Sequence, residues 1–184
     1  SRDSSKSGSW SISVDGEGGY AYAYRLDDYF DASRGDAQLT FEGYMHFSAF
    51  PSMNASTQWH SHLIAYNADE IVALGVSFIG RTEMLAWRQR RAYPCFPECV
   101  WAAPAPLSEL LKVNEWYRIS MKLTQTRQQA QVEYVLVNVR TGRILATSRT
   151  SDIVPQTRIV RLDLGYDTDG VRAGFADNAH TLYD

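Results

Sequence analysis

The sequence predicts an all-β fold, an antiparallel sandwich of two sheets, on three observations. Residues 39–50, LTFEGYMHFSAF, alternate apolar and polar side chains without a Gly-Pro break, which is the period of a strand with one buried face. Eleven Tyr and five Trp favour the pleated surface of strands, where broad rings pack well. Further short alternating stretches recur along the chain between turn-forming residues, giving about ten to twelve strands and no internal repeat.

In the 39–50 stretch one face carries Leu39, Phe41, Gly43, Met45, Phe47 and Ala49. The other carries Thr40, Glu42, Tyr44, His46, Ser48 and Phe50. A second face holding Glu, Tyr and His reads as a contact surface if it is open and as sheet packing if it is covered.

At 184 residues the chain suits one sizeable core, and a single domain over residues 10–184 is expected. Residues 1–9, SRDSSKSGS, read as a disordered or added polar lead. The formal net charge of -3 supplies no global field for nucleic acid or an anionic membrane surface, so no nucleic-acid partner is expected. No apolar run approaches the roughly 18 residues of a membrane span.

The first strand is expected over residues 10–14, followed by Asp15-Gly16-Glu17-Gly18-Gly19 and a return over 19–25 with Tyr20, Tyr22 and Tyr24 on one face, forming a hairpin or strand pair. Residues 26–37, LDDYFDASRGDA, read as an irregular acidic connection; Asp27, Asp28, Asp31 and Asp36 do not fit a helix-flanked calcium loop and are read as solvated. The strand at 39–50, then residues 58–66, 71–79 and 82–89 read as an antiparallel meander of four strands, with His60 and His62 on one face of the second. Residues 88–106 hold four of the six prolines and no period of two, so a surface excursion is expected. It contains Cys95 and Cys99, and a local disulfide and two free thiols are both open readings. Residues 107–113 are the one plausible helical turn. Strands are then expected at 115–123, at 129–139 and 143–149 as a hairpin across Arg140-Thr141-Gly142, at 157–164, at 171–175 and at 181–183.

The segments LTFEGYMHF, SHLIAY, VALGVSFIGRTEMLAW, KVNEWYRISMKLTQ and GFADNAHTLYD, in this order, resemble the concanavalin A-like lectin and glucanase superfamily, including its laminin G-like branch. The resemblance covers residues 10–184 and implies an antiparallel two-sheet jelly-roll β-sandwich, with one sheet curved into a concave ligand face and the 39–50 strand on or beside it. Such a fold hosts lectins, adhesion modules, glycosidases and lyases, so function has to be read from the site.

The glucanase branch hydrolyses with an ExDxxE strand, and no such pattern occurs here. Gln58-Trp59-His60 is similar to the Gln-x-His strand of jelly-roll polysaccharide lyases, which implies Tyr44, His46, His60 and Arg88 as an alternative proton-transfer set, His being suited to that work near neutral pH. The Tyr-x-Lys-x-Gly-x-Tyr stretch of those lyases is absent. Binding needs less: rings stack on sugar faces while polar groups orient hydroxyls or carboxylates. The binding candidates are Glu42, Tyr44, His46, His60 and His62, with a basic and aromatic cluster of Trp87, Arg88, Arg90, Arg91, Tyr93 and Trp101 that favours an anionic glycan. Asp167, Asp169 and Asp177 are candidates for structural calcium, against an ordinary Asp-Gly turn; no other cofactor is expected.

The expected function is a non-catalytic carbohydrate-binding or adhesion module, extracellular or on the cell surface and a candidate part of a larger multidomain protein. A polysaccharide lyase acting on a uronate polymer is the alternative.

Overall fold

The computed structural model describes residues 12–15, 19–31, 37–49, 58–67, 73–89, 99–101, 104–126, 128–150, 158–166 and 180–183, and side chains within 38–47, 74–76, 78–86, 104–126 and 128–149. They form an antiparallel two-sheet jelly-roll sandwich. One sheet is ordered β1 (Ile12–Asp15), β13 (His180–Tyr183), β3 (Ala37–Ala49), β9 (Trp116–Gln125), β10 (Ala130–Asn138), β11 (Ile144–Thr150). The other is ordered β2 (Gly19–Asp31), β12 (Arg158–Tyr166), β4 (Gln58–Asn67), β5 (Ala73–Ile79), β6 (Glu83–Gln89), β7 (Cys99–Trp101), with β8 (Ala105–Pro106) also on β6.

Alternation decides which face goes inward. On β9 Tyr117, Ile119, Met121 and Leu123 are fully buried, and on β10 Val132, Tyr134 and Leu136 are too. They meet Met45 and Phe47 of β3 and, from the opposing sheet, Leu74, Val76 and Phe78 of β5 with Met84 and Ala86 of β6. The Phe47 and Tyr117 rings lie 5.9 Å apart at 44°, a tilted pairing that suits the quadrupoles of aromatic rings.

Several expectations change. The first two strands are not a pair: β1 joins β13 in one sheet and β2 joins β12 in the other. Residues 26–31 are not irregular but continue β2, whose place at the edge of its sheet accommodates charged side chains. Of the four strands expected in the meander β4, β5 and β6 are in it, and β3 is not, because it pairs with β9 across a wide sequence gap. Residues 88–106 are not wholly an excursion, since β7 and β8 both hydrogen-bond to β6.

Residues 107–113 form no helix. They run as a strap across the end of the sandwich, and their amides are spent on separate elements: Leu107 N–H donates to Thr82 C=O (2.7 Å), Ser108 N–H to Leu145 C=O (2.8 Å) and Leu111 N–H to Arg81 C=O (3.3 Å). Asn114 N–H follows, donating to Phe47 C=O at 2.8 Å. Tertiary partners for the amides outweigh the weak helical propensity of this stretch. Asn114 takes φ 60°, a left-handed conformation that Asn tolerates better than most residues. Lys112 N–H donates to the buried Tyr117 hydroxyl at 2.7 Å, fastening the strap to the core, and burial raises the Tyr117 pKa to about 12.

The β10–β11 hairpin forms where expected. Gly142 sits at φ 69° and donates its N–H to Asn138 C=O at 2.8 Å. The polar lead at 1–9, the expected strand at 171–175 and Cys95 lie outside the described residues.

Candidate functional site

The inward alternation of β3 and β9 fixes their opposite face. On β3 Glu42 is exposed, while Tyr44 and His46 are half-buried; on β9 Trp116, Arg118 and Ser120 are half-buried and Lys122 is exposed. Register sets the neighbours: His46 opposes Trp116, Tyr44 opposes Arg118, Glu42 opposes Ser120 and Thr40 opposes Lys122. Opposed residues of an antiparallel pair share a face with Cβ atoms about 5 Å apart, and alternate residues along a strand stand about 7 Å apart. The His46 and Trp116 rings are in contact, with centroids 5.1 Å apart and planes at 48°. An aromatic pair thus stands one step along the sheet from a tyrosine and a guanidinium.

The charges on this face are loosely held. Glu42 and Arg118 approach to 4.0 Å, with side chains 46% and 40% exposed. Glu133 of β10 and Arg149 of β11 are register partners at 3.7 Å, also solvated. Exposed pairs at such distances contribute at most about 1 kcal/mol, so they restrain their arginines weakly.

A different arrangement holds the end of β9. The Glu115 carboxylate accepts from Arg140 at 2.8 Å and from the Asn138 side-chain amide at 2.6 Å. Asn138 is itself buried, and its side-chain oxygen accepts from Thr141 N–H at 3.1 Å. Desolvation pushes the Glu115 carboxyl up, but the hydrogen bonds from Arg140 and Asn138 and the charges of Arg140 and Lys112 outweigh it, leaving its pKa below the usual carboxylate value. This cluster joins the start of β9 to the β10–β11 turn and is structural.

The expected site residues divide between the sheets. Glu42, Tyr44 and His46 stand together on the outer face of β3. His60 and His62 lie on β4 of the opposing sheet, within a register shift between Trp59 and Leu63. Trp87 and Arg88 lie on β6, where Trp87 is the register partner of Trp101 on β7. The proton-transfer set of Tyr44, His46, His60 and Arg88 is therefore not brought to one face: its first two members point away from the sheet that carries the other two. Arg90, Arg91, Tyr93, Asp167, Asp169 and Asp177 lie outside the described residues. Among the described residues no group of three or more His, Cys, Asp or Glu is placed to hold a metal, and no helix is long and apolar enough to cross a membrane.

Sequence reasoning missed Trp116 and Arg118 as site residues. Their shared parity on 115–123 was legible. Their position beside His46 and Tyr44 was not, because it depends on pairing segments some 70 residues apart.

No protein-family model matches the chain, and no curated relative is found by sequence. Its architecture is similar to that of several solved structures. The LG1-3 region of the laminin alpha2 chain aligns at 10% identity and TM-score 0.48, over 94% of this chain and 30% of that one. A legume lectin-like domain from Entamoeba histolytica aligns at 6% identity and TM-score 0.46, over 95% of this chain and 82% of that one. An alginate lyase of Polysaccharide Lyase family 7 aligns at 13% identity and TM-score 0.41, over 81% and 55% of the two chains. The chain thus spans less than a third of the laminin chain and about half of the lyase, and likeness at this level is of overall architecture, not of ligand or activity.

Proposed function

We propose that this chain is a non-catalytic carbohydrate-binding or adhesion module that meets a glycan with the outer face of β3 and β9, in an extracellular or cell-surface setting. The observation that carries the reading is the block of His46, Trp116, Tyr44 and Arg118, fixed by strand register on a sheet face turned away from the core. Rings set in a rigid sheet offer stacking area to a sugar at little entropic cost, and the neighbouring Glu42, Arg118 and Ser120 supply hydrogen bonds that orient its hydroxyls. The strap and the Glu115 cluster hold the ends of these strands, so the block is preorganised.

A glycan array probed with the full chain and with Tyr44→Ala and Trp116→Ala variants tests the proposal. Retention by at least one glycan class, lost in Trp116→Ala while the melting temperature is kept, supports it. Failure to bind any glycan counts against it. A polysaccharide lyase built on Tyr44, His46, His60 and Arg88 gains no geometric support from the separation of these residues between two sheets; appearance of an unsaturated-uronate chromophore on incubation with alginate, glucuronan or ulvan would reinstate it.

A further inference from the structure

We infer that the ligand of this face is an acidic glycan, a uronate-bearing chain lying along β9. The inference rests on the glycan-binding reading and deepens it. The outward column of β9 runs Trp116, Arg118, Ser120, Lys122, Thr124: an aromatic ring, a cation, a hydroxyl, a cation and a hydroxyl, with no carboxylate. The flanking strands contribute one carboxylate each, Glu42 from β3 and Glu133 from β10, and these oppose Ser120 and Lys122 in register and not Arg118.

Arg118 is the residue that selects. Its register partner is Tyr44, and it meets Glu42 on the diagonal, 4.0 Å away with both side chains substantially exposed. A planar guanidinium so placed has donors to offer a carboxylate bidentately, an arrangement stronger and more directional than the loose pair it would replace. Trp116 stands about 7 Å from Arg118 along the strand and Lys122 about 14 Å beyond it on the same face. A sugar ring stacked on Trp116 therefore carries its carboxylate toward Arg118, and the continuing polymer brings a later carboxylate to Lys122. Glu42 competes with the ligand for Arg118 and sets a threshold against weakly acidic or neutral glycans.

Affinity electrophoresis of the full chain in gels containing alginate, a polyuronate, or neutral galactomannan tests this. Expected is stronger retardation by alginate, weakening with salt. Arg118→Gln with Lys122→Gln should weaken alginate binding about tenfold or more and galactomannan retardation by no more than about threefold, while Glu42→Gln should strengthen alginate binding by about twofold. Arg143→Gln removes an exposed cation in the β10–β11 turn, off this column, and should change nothing, which separates a site from bulk charge. Equal retardation by both gels, or indifference of alginate binding to the double substitution, overturns the acidic preference and leaves glycan binding standing. Absence of retardation in both gels, with no glycan retained on the array, overturns the reading and the inference together.

Discussion

Glu115 and Glu42 each make an ion pair with arginine beside β9, and they serve opposite ends. Glu115 holds Arg140 at 2.8 Å, with Asn138 as a further donor and its own side chain only 13% exposed. Glu42 meets Arg118 at 4.0 Å with nearly half of its surface in water. Burial and a second partner turn the first pair into a fastening of the fold. Solvation and length leave the second able to exchange partners, as the proposed contact with a ligand requires.

The largest effect should come from the fastened end. Asn138→Ala removes the amide that serves both Glu115 and Thr141 N–H and should cost about 1–3 kcal/mol by chemical denaturation. A cost below a few tenths would erase the contrast between the two pairs.

Two buried tyrosines sharpen the same point. Tyr117 is partnered by Lys112 of the strap, whereas the Tyr134 hydroxyl has no hydrogen-bond partner among the described residues, and burial pushes its pKa far upward. Tyr117→Phe should destabilise by about 1 kcal/mol, and Tyr134→Phe should be neutral or stabilising by about that amount, as thermal melts would reveal. Equal losses in both would mean that ring packing, not partnership, governs these sites.

The pH profile comes next. The Glu115 carboxyl is depressed in the folded state, so its contribution is present above the unfolded carboxyl value of 4.5 and is lost as pH falls through the lower native value. The stability gap between the parent chain and Glu115→Gln should narrow on acidification through this window. A constant gap would remove Glu115 from the account of acid sensitivity. Smallest of all, a double-mutant cycle on Glu42 and Arg118 should give a coupling of no more than about 0.5 kcal/mol in stability, even though Arg118 is expected to matter for ligand.

What the sequence made legible was local. Alternation over 39–50 assigned Met45 and Phe47 inward and Glu42, Tyr44 and His46 outward, as found, and Gly142 marked the β10–β11 turn. Sheet membership was not legible, because β1 with β13, β2 with β12 and β3 with β9 are partners from distant parts of the chain, and nothing in a single strand names its partner. The acidic run at Asp27 and Asp28 argued against a strand because Asp is depleted in strands; at a sheet edge that preference is weak. Residues 107–113 read as the one plausible helical turn, yet their amides find carbonyls in the β5–β6 turn and on β11. Trp116 was visible as an outward residue, but only its register with His46 makes it part of a site.

The β1–β13 pair carries a mechanical consequence. Ile12 lies beside Tyr183 and Asp15 beside His180, so the chain enters and leaves this pair at the same end. Tension applied at Ile12 and Tyr183 would load the ladder one rung at a time, starting at that pair, instead of shearing all rungs together. The sheet should peel open at low force, beginning at β1 and β13, while β3, β9 and β10 keep their register.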